Sequence, residues 1–264
     1  MTLKQEVPIE LKVFAGIMDS AQGRFSYNDW FTDFVDYMTA CFLTTGDPAL
    51  ANRLKDKYGD QYHIFDKLLM AYLDMMKKEN LVEGYWYDGF GIIYETITSR
   101  WKSSKMGQFF TPPTVVDLMT MITEGDGEKQ KGKTINDPTC GSGRMLIAHH
   151  VRNLGNYYYG QDLDPICTKM TALNMLLHGC IGEVACMDTL RMKWYFGYKI
   201  NPYLMIAGIP CIKPVESWEQ SAFYVAPQPK KEVSFQSIKE VIEDTPKVKI
   251  HNKKPDNMIQ LSLF

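Results

Sequence analysis

Two aspartates close short apolar runs in the middle of this chain, and the residues between them are those of a nucleotide-type pocket. The stretch Ile135 to Pro165 holds an apolar run ending in Asp137, a turn with Gly141 and Gly143, a helical run, and a second apolar run ending in Asp162. Glycines in such a turn let the backbone approach a ligand closely, and an acidic residue about 20 positions further on accepts hydrogen bonds from ribose hydroxyls. A nucleoside-bearing cofactor is the ligand this pattern predicts.

The elements that position these residues follow from period and punctuation. Strands are expected at Thr134–Asp137, Tyr157–Gln161, Glu183–Met187 and Tyr203–Ile209, the last apolar throughout, as a strand covered on both faces is. Helices are expected at Arg144–Arg152 and Pro165–Leu177 between them. Alternation at this spacing predicts an α/β fold with an open, doubly wound Rossmann-like sheet. Before it, residues 1–105 read as a helical region, with amphipathic runs at Trp30–Leu43, Tyr62–Leu81 and Ile92–Trp101. The Met and aromatic stripe of those helices reads as core, with a docking face as the alternative. Thr111, before Pro112 and Pro113, suits a capped helix start, an end that favours a carboxylate or phosphate; alone, it is equally a cap with no ligand. Residues 213–264 carry five prolines among many lysines and read as a loosely structured tail.

Composition bounds the function. The chain has 264 residues, 45% hydrophobic and 23% charged, enough for one good core and a smaller second one. A net charge of -2 offers no global basic footprint, so contact with nucleic acid must come from a local patch or a partner. Cys41, Cys140, Cys167, Cys180, Cys186 and Cys211 show no CxxC pair or ligand spacing with histidine, and read as reduced thiols with no metal site. The N-terminal residues lack a signal pattern and no run approaches the ~18 apolar residues of a membrane span, so the expected compartment is the cytoplasm.

Three motifs in order carry a family resemblance: Gln108-Phe109-Phe110-Thr111-Pro112, Asp137-Pro138-Thr139-Cys140-Gly141-Ser142-Gly143, and Gly160-Gln161-Asp162-Leu163-Asp164-Pro165 followed by Asn174 and His178-Gly179. Over residues 85–210 the chain resembles the modification subunits of type I restriction-modification systems, N6-adenine DNA methyltransferases that use S-adenosyl-L-methionine. The resemblance implies that residues 106–212 form the methyltransferase domain. It places Gln108 to Pro112 against the methionine end of the cofactor and wraps the turn Asp137, Pro138, Cys140, Gly141, Ser142, Gly143 around it. Asp137 would meet the amino group, Asp162 the ribose, Leu163 the adenine ring and Asp188 the adenine amino group.

The resemblance breaks at the catalytic motif. The family carries Asn-Pro-Pro and an aromatic residue after the fourth strand, to hold the target amino group and stack on the flipped base. Here the corresponding positions are Gly208, Ile209, Pro210 and Cys211, with neither the amide nor the ring. A rival alignment uses Asn201, Pro202 and Tyr203, and requires Trp194–Ile200 to be the fourth strand. The expectation is a reduced relative with an incomplete sheet that binds the cofactor with impaired catalysis, a pseudoenzyme or regulatory subunit acting on DNA with a partner. Its alternative is an active methyltransferase using Asn201 or partner-supplied groups. The chain ends in Gln260-Leu261-Ser262-Leu263-Phe264, which resembles the peptide that docks bacterial replication and repair proteins on the sliding clamp.

Overall fold

The structure, a computed structural model, describes residues 2–21, 23–80, 84–100, 110–124 and 131–226. Gln108, Phe109 and the terminal Gln260 to Phe264 lie outside them. The described residues up to Tyr224 form one compact unit.

The N-terminal half is helical, as its periodicity predicts. It comprises α1 (Leu3–Glu6), α2 (Lys12–Ser20), α3 (Tyr27–Phe42), α4 (Pro48–Tyr58), α5 (Ile64–Glu79) and α6 (Gly89–Arg100). Helix α3 begins where Ser26 and Asp29 form a capping box, and α4 where Asp47 accepts from Leu50 N with Pro48 in the first turn. Trp30, Phe31, Phe34, Val35 and Met38 recur at three- and four-residue spacing and are buried against Phe14, Phe65 and Tyr72. Each such fully buried large apolar side chain contributes roughly 1.5–3 kcal/mol. The stripe is core, with Met38, Met75 and Met76 inside it.

Helix α7 (Pro113–Glu124) leads to β1 (Thr134–Asp137), α8 (Arg144–Arg152), β2 (Tyr157–Asp162), α9 (Pro165–Leu177) and β3 (Ile181–Asp188). These three strands are parallel, and β4 (Lys193–Ile200) and β5 (Ile212–Val215) follow antiparallel. The strand order is β1-β2-β3-β4-β5. This is the Rossmann-like α/β arrangement anticipated, but among the described residues the winding never reverses past β1 as a doubly wound sheet does. Helices α8 and α9 cover the face carrying Tyr158 and Val184, and α3 packs on α9 in turn. Asp36 reaches Lys169 across that contact at 2.5 Å.

Two expectations are corrected here. Tyr203–Ile209 is not a strand: Leu204–Ala207 forms a short helix, α10, with Met205 and Ile206 more than four-fifths exposed. A continuous apolar run has no period to separate helix from strand, and the place beside β3 is taken by β4. Its alternating aromatic residues Trp194, Phe196 and Tyr198 were the better strand signal. The second concerns residues 213–264, expected to be loose throughout, in which β5 continues the sheet and Ser217–Tyr224 covers its other face. There Phe223 packs on Tyr159, Trp218 faces Trp194, and Glu183 accepts from Ser221 Oγ and the Ala222 amide.

Candidate cofactor site

The C-terminal ends of β1 and β2 open into a cavity of about 180 Å³ lined by Phe110, Thr111, Asp137, Thr139, Cys140, Gly141, Ser142, Arg144, Met145, Asp162 and Cys167. Local chain geometry makes it. Gly141 stands at φ 56 and Gly143 at φ 88, left-handed conformations that favour glycine, and an added Cβ at Gly141 would lie 2.9 Å from the Phe110 ring. The Gly141 amide donates to Asp162 Oδ2 at 2.9 Å and the Asp164 amide to Oδ1 at 2.9 Å, so Asp162 ties the first turn to the second. Among the described residues Asp137 receives only the Thr139 amide, at 3.1 Å.

Both carboxyls sit above the usual carboxylate range. For Asp137 burial raises the pKa, the Thr139 amide opposes it and Asp162 adds to the rise; for Asp162 burial raises it against the amides of Asp164 and Gly141. The cavity thus holds two interacting acidic groups. Its one cation among the described residues is already matched. Burial works against the Arg144 charge, but Asp88 at 2.6 Å and Glu95 at 2.7 Å hold it protonated.

Arg144 and Asp88 also build the wall. Asp88 caps α6 by accepting the Gly91 amide at 2.8 Å, and takes Ser142 Oγ at 2.6 Å and Asn174 Nδ2 at 2.7 Å. Arg144 donates to Thr111 O and lies 5.3 Å from the Phe110 ring centroid, while Glu95 accepts the Phe110 amide at 3.2 Å. One buried ionic cluster thus joins α6, the glycine turn, α9 and the segment before α7. Sequence reading missed Asp88, Glu95 and Arg144. The available signal was an acidic residue before a helix and an arginine directly after a glycine turn.

The other expected residues fall in three places. Pro112, Pro138, Gly143 and Leu163 adjoin the cavity residues in sequence but do not line it, and Leu163 is exposed. Asp188 ends β3 and accepts the Arg191 amide at 2.9 Å. Asn201, Pro202, Tyr203 and Gly208 to Cys211 lie at the far end of the sheet. Ile200 pairs with Gly182, six residues before Asp188, which puts Asn201 roughly 20 Å from the strand ends that carry the cavity. Asn201 is fully buried at φ 54, its Nδ2 donating to Leu176 O and Cys180 O and its Oδ1 accepting the Cys211 amide.

Residues 86–209 match the N-6 DNA methylase family. Over 131 residues the chain is 34% identical to the type I restriction enzyme MjaVII methylase subunit of Methanocaldococcus jannaschii, covering 47% of this chain and 21% of that protein. It is 32% identical over 102 residues to the HindI methylase subunit of Haemophilus influenzae, covering 35% and 22%. The chain thus spans about a fifth of the length of the curated relatives it matches. Among solved structures, the type I restriction-modification methyltransferase subunit of Streptococcus thermophilus is 24% identical, covers 70% of this chain and 40% of that one, and aligns with a TM-score of 0.35. The segment matched by that family begins at Trp86 and so includes the missed cluster, Asp88, Glu95 and Arg144, together with the glycine turn. All six cysteines are free thiols, five of them buried. No helix among the described residues is long and apolar enough to cross a membrane.

Proposed function

We propose that this chain binds S-adenosyl-L-methionine as a member of the N6-adenine DNA methyltransferase family, with methyl transfer impaired or absent in the isolated chain. The observation that carries the reading is the separation of roughly 20 Å between the cavity and both candidate catalytic segments, Asn201 to Tyr203 and Gly208 to Cys211.

The cavity fits the cofactor chemically. Two half-buried carboxylates, each with free lone pairs, and an arginine already neutralised favour a ligand that is cationic and carries hydroxyl donors. Asp162 would take the ribose hydroxyls and Asp137 the amino group, with Phe110, Met145 and Cys167 as apolar walls. When bound, the cofactor supplies an electrophilic methyl group. What this chain's described residues contribute there is charge and orientation; an amide to hold a target amino group is not among the described residues that line the cavity.

A second reading has one observation in its favour. Among the described residues no strand pairs with the outer edge of β1, so a partner placed there would stand beside the cavity and supply the missing groups. The natural partners on either reading are DNA and a companion subunit. The terminal Gln260 to Phe264 supports a further proposal, docking on a bacterial sliding clamp in the cytoplasm; deleting it should abolish capture by purified clamp.

Calorimetry decides the cofactor assignment. Wild type should bind S-adenosyl-L-methionine, and Asp162→Ala should weaken binding by about 10- to 100-fold, the loss of hydrogen bonds to a charged group. Absence of binding to the wild type ends the proposal. Incorporation of labelled methyl into unmethylated DNA by the isolated chain would overturn impaired catalysis, and incorporation only with a companion subunit would favour the second reading.

A further inference from the structure

One turn at the cofactor edge of the sheet is used by neither the cavity nor the core. Asp188 at the end of β3 pairs with Lys193 at the start of β4, so the residues between them project from the edge that carries Asp137 and Asp162. Strand β3 is two places from β1, roughly 10 Å across the sheet. Leu190 at this tip is 96% exposed and the Arg191 side chain 83% exposed, with Met192 about half exposed.

The tip is held rather than loose. Asp188 Oδ1 fixes it through the Arg191 amide, and Met192 stands at φ 53, a left-handed conformation unfavourable for a non-glycine residue. Strain of this kind persists where surrounding structure enforces it. The charges are arranged outward: the Arg191 guanidinium has only a long 3.3 Å surface pair with Asp188, and Lys193 lies over the Tyr195 ring at 5.1 Å. In a chain of net charge -2, Arg191 and Lys193 directly after a bare leucine form a local cationic patch that matches phosphate.

We infer that this turn is a DNA wedge: Leu190 fills the gap left by an unstacked base while Arg191 and Lys193 neutralise adjacent phosphates. The inference rests on the DNA-methylase reading of the cavity. A methyl donor held at this edge reaches an exocyclic amino group only after the base leaves the duplex, and an inserted apolar side chain with cations beside it stabilises an opened step.

The test titrates the full chain, saturated with S-adenosyl-L-methionine, against fluorescein-labelled duplexes that are intact or carry a central abasic site, following anisotropy at several salt concentrations. The abasic duplex, already unstacked, should bind at least about tenfold more tightly, because the cost of opening the step no longer has to be met. Leu190→Ala should remove that preference and leave the salt slope unchanged. Arg191→Ala should weaken both duplexes and reduce the slope by about one. Equal binding of the two duplexes by wild type, a preference that survives Leu190→Ala, or no binding of either overturns the wedge. Calorimetric cofactor binding is read separately, so a chain that binds cofactor but neither duplex loses the wedge and keeps the cofactor assignment.

Discussion

The two ends of this sheet carry equally suggestive residues and use them in opposite ways. At the C-terminal ends of β1 and β2, Asp137 and Asp162 keep unfilled hydrogen-bonding capacity facing a cavity, and glycine backbone lies close by. At the other end Asn201 has spent both amide protons and its oxygen on Leu176, Cys180 and Cys211, and no solvent reaches it. A polar side chain with spare valence in a cleft is available for a ligand. One whose valence is saturated by backbone is holding the chain together.

The sharpest way to break this comparison is to remove the support beneath the first end. Asp88→Ala leaves Arg144 buried beside a single carboxylate and frees Ser142 and Asn174, so it should destabilise the protein by about 3–5 kcal/mol. Chemical denaturation measures this. A loss below about 1 kcal/mol, the worth of a surface pair, would mean the cluster does not hold the wall.

Asn201→Ala tests the other end. It should cost about 1–3 kcal/mol, because buried carbonyls of Leu176 and Cys180 lose a donor, and should leave cofactor affinity unchanged. A stable variant with lost methyl transfer would reverse the contrast and favour an active enzyme that uses Asn201.

An effect of pH is expected as well. His150 is buried in α8 with the Tyr158 ring edge-on, and burial lowers its pKa to about 4. The unfolded state, with a histidine near 6.5, binds more protons between those values, so stability rises with pH across about 4 to 6.5 and is lost as pH falls through it, by up to ~3 kcal/mol. His150→Phe should flatten the wild-type pH profile of thermal unfolding in that window. An unchanged slope would assign the dependence to other groups.

Much of this architecture was legible in order of residues. The strand Thr134–Asp137 and the helices Arg144–Arg152 and Pro165–Leu177 stand where period, glycine and proline put them, because local signals and burial agree there. So does the pairing of a glycine turn with an acidic residue on the next strand, since both sit on one βαβ unit whose geometry is local. What only tertiary structure decided is long-range. Asp88 and Glu95 reach Arg144 from about 50 positions away, and nothing in either segment announces the other. The strand beside β3 was settled by competition: β4 folds back as a hairpin and takes the hydrogen-bonding edge, so the more apolar Tyr203–Ile209 is left to turn and expose its side chains. Edge pairing is a contest between segments, and hydrophobicity within one segment does not reveal its rival.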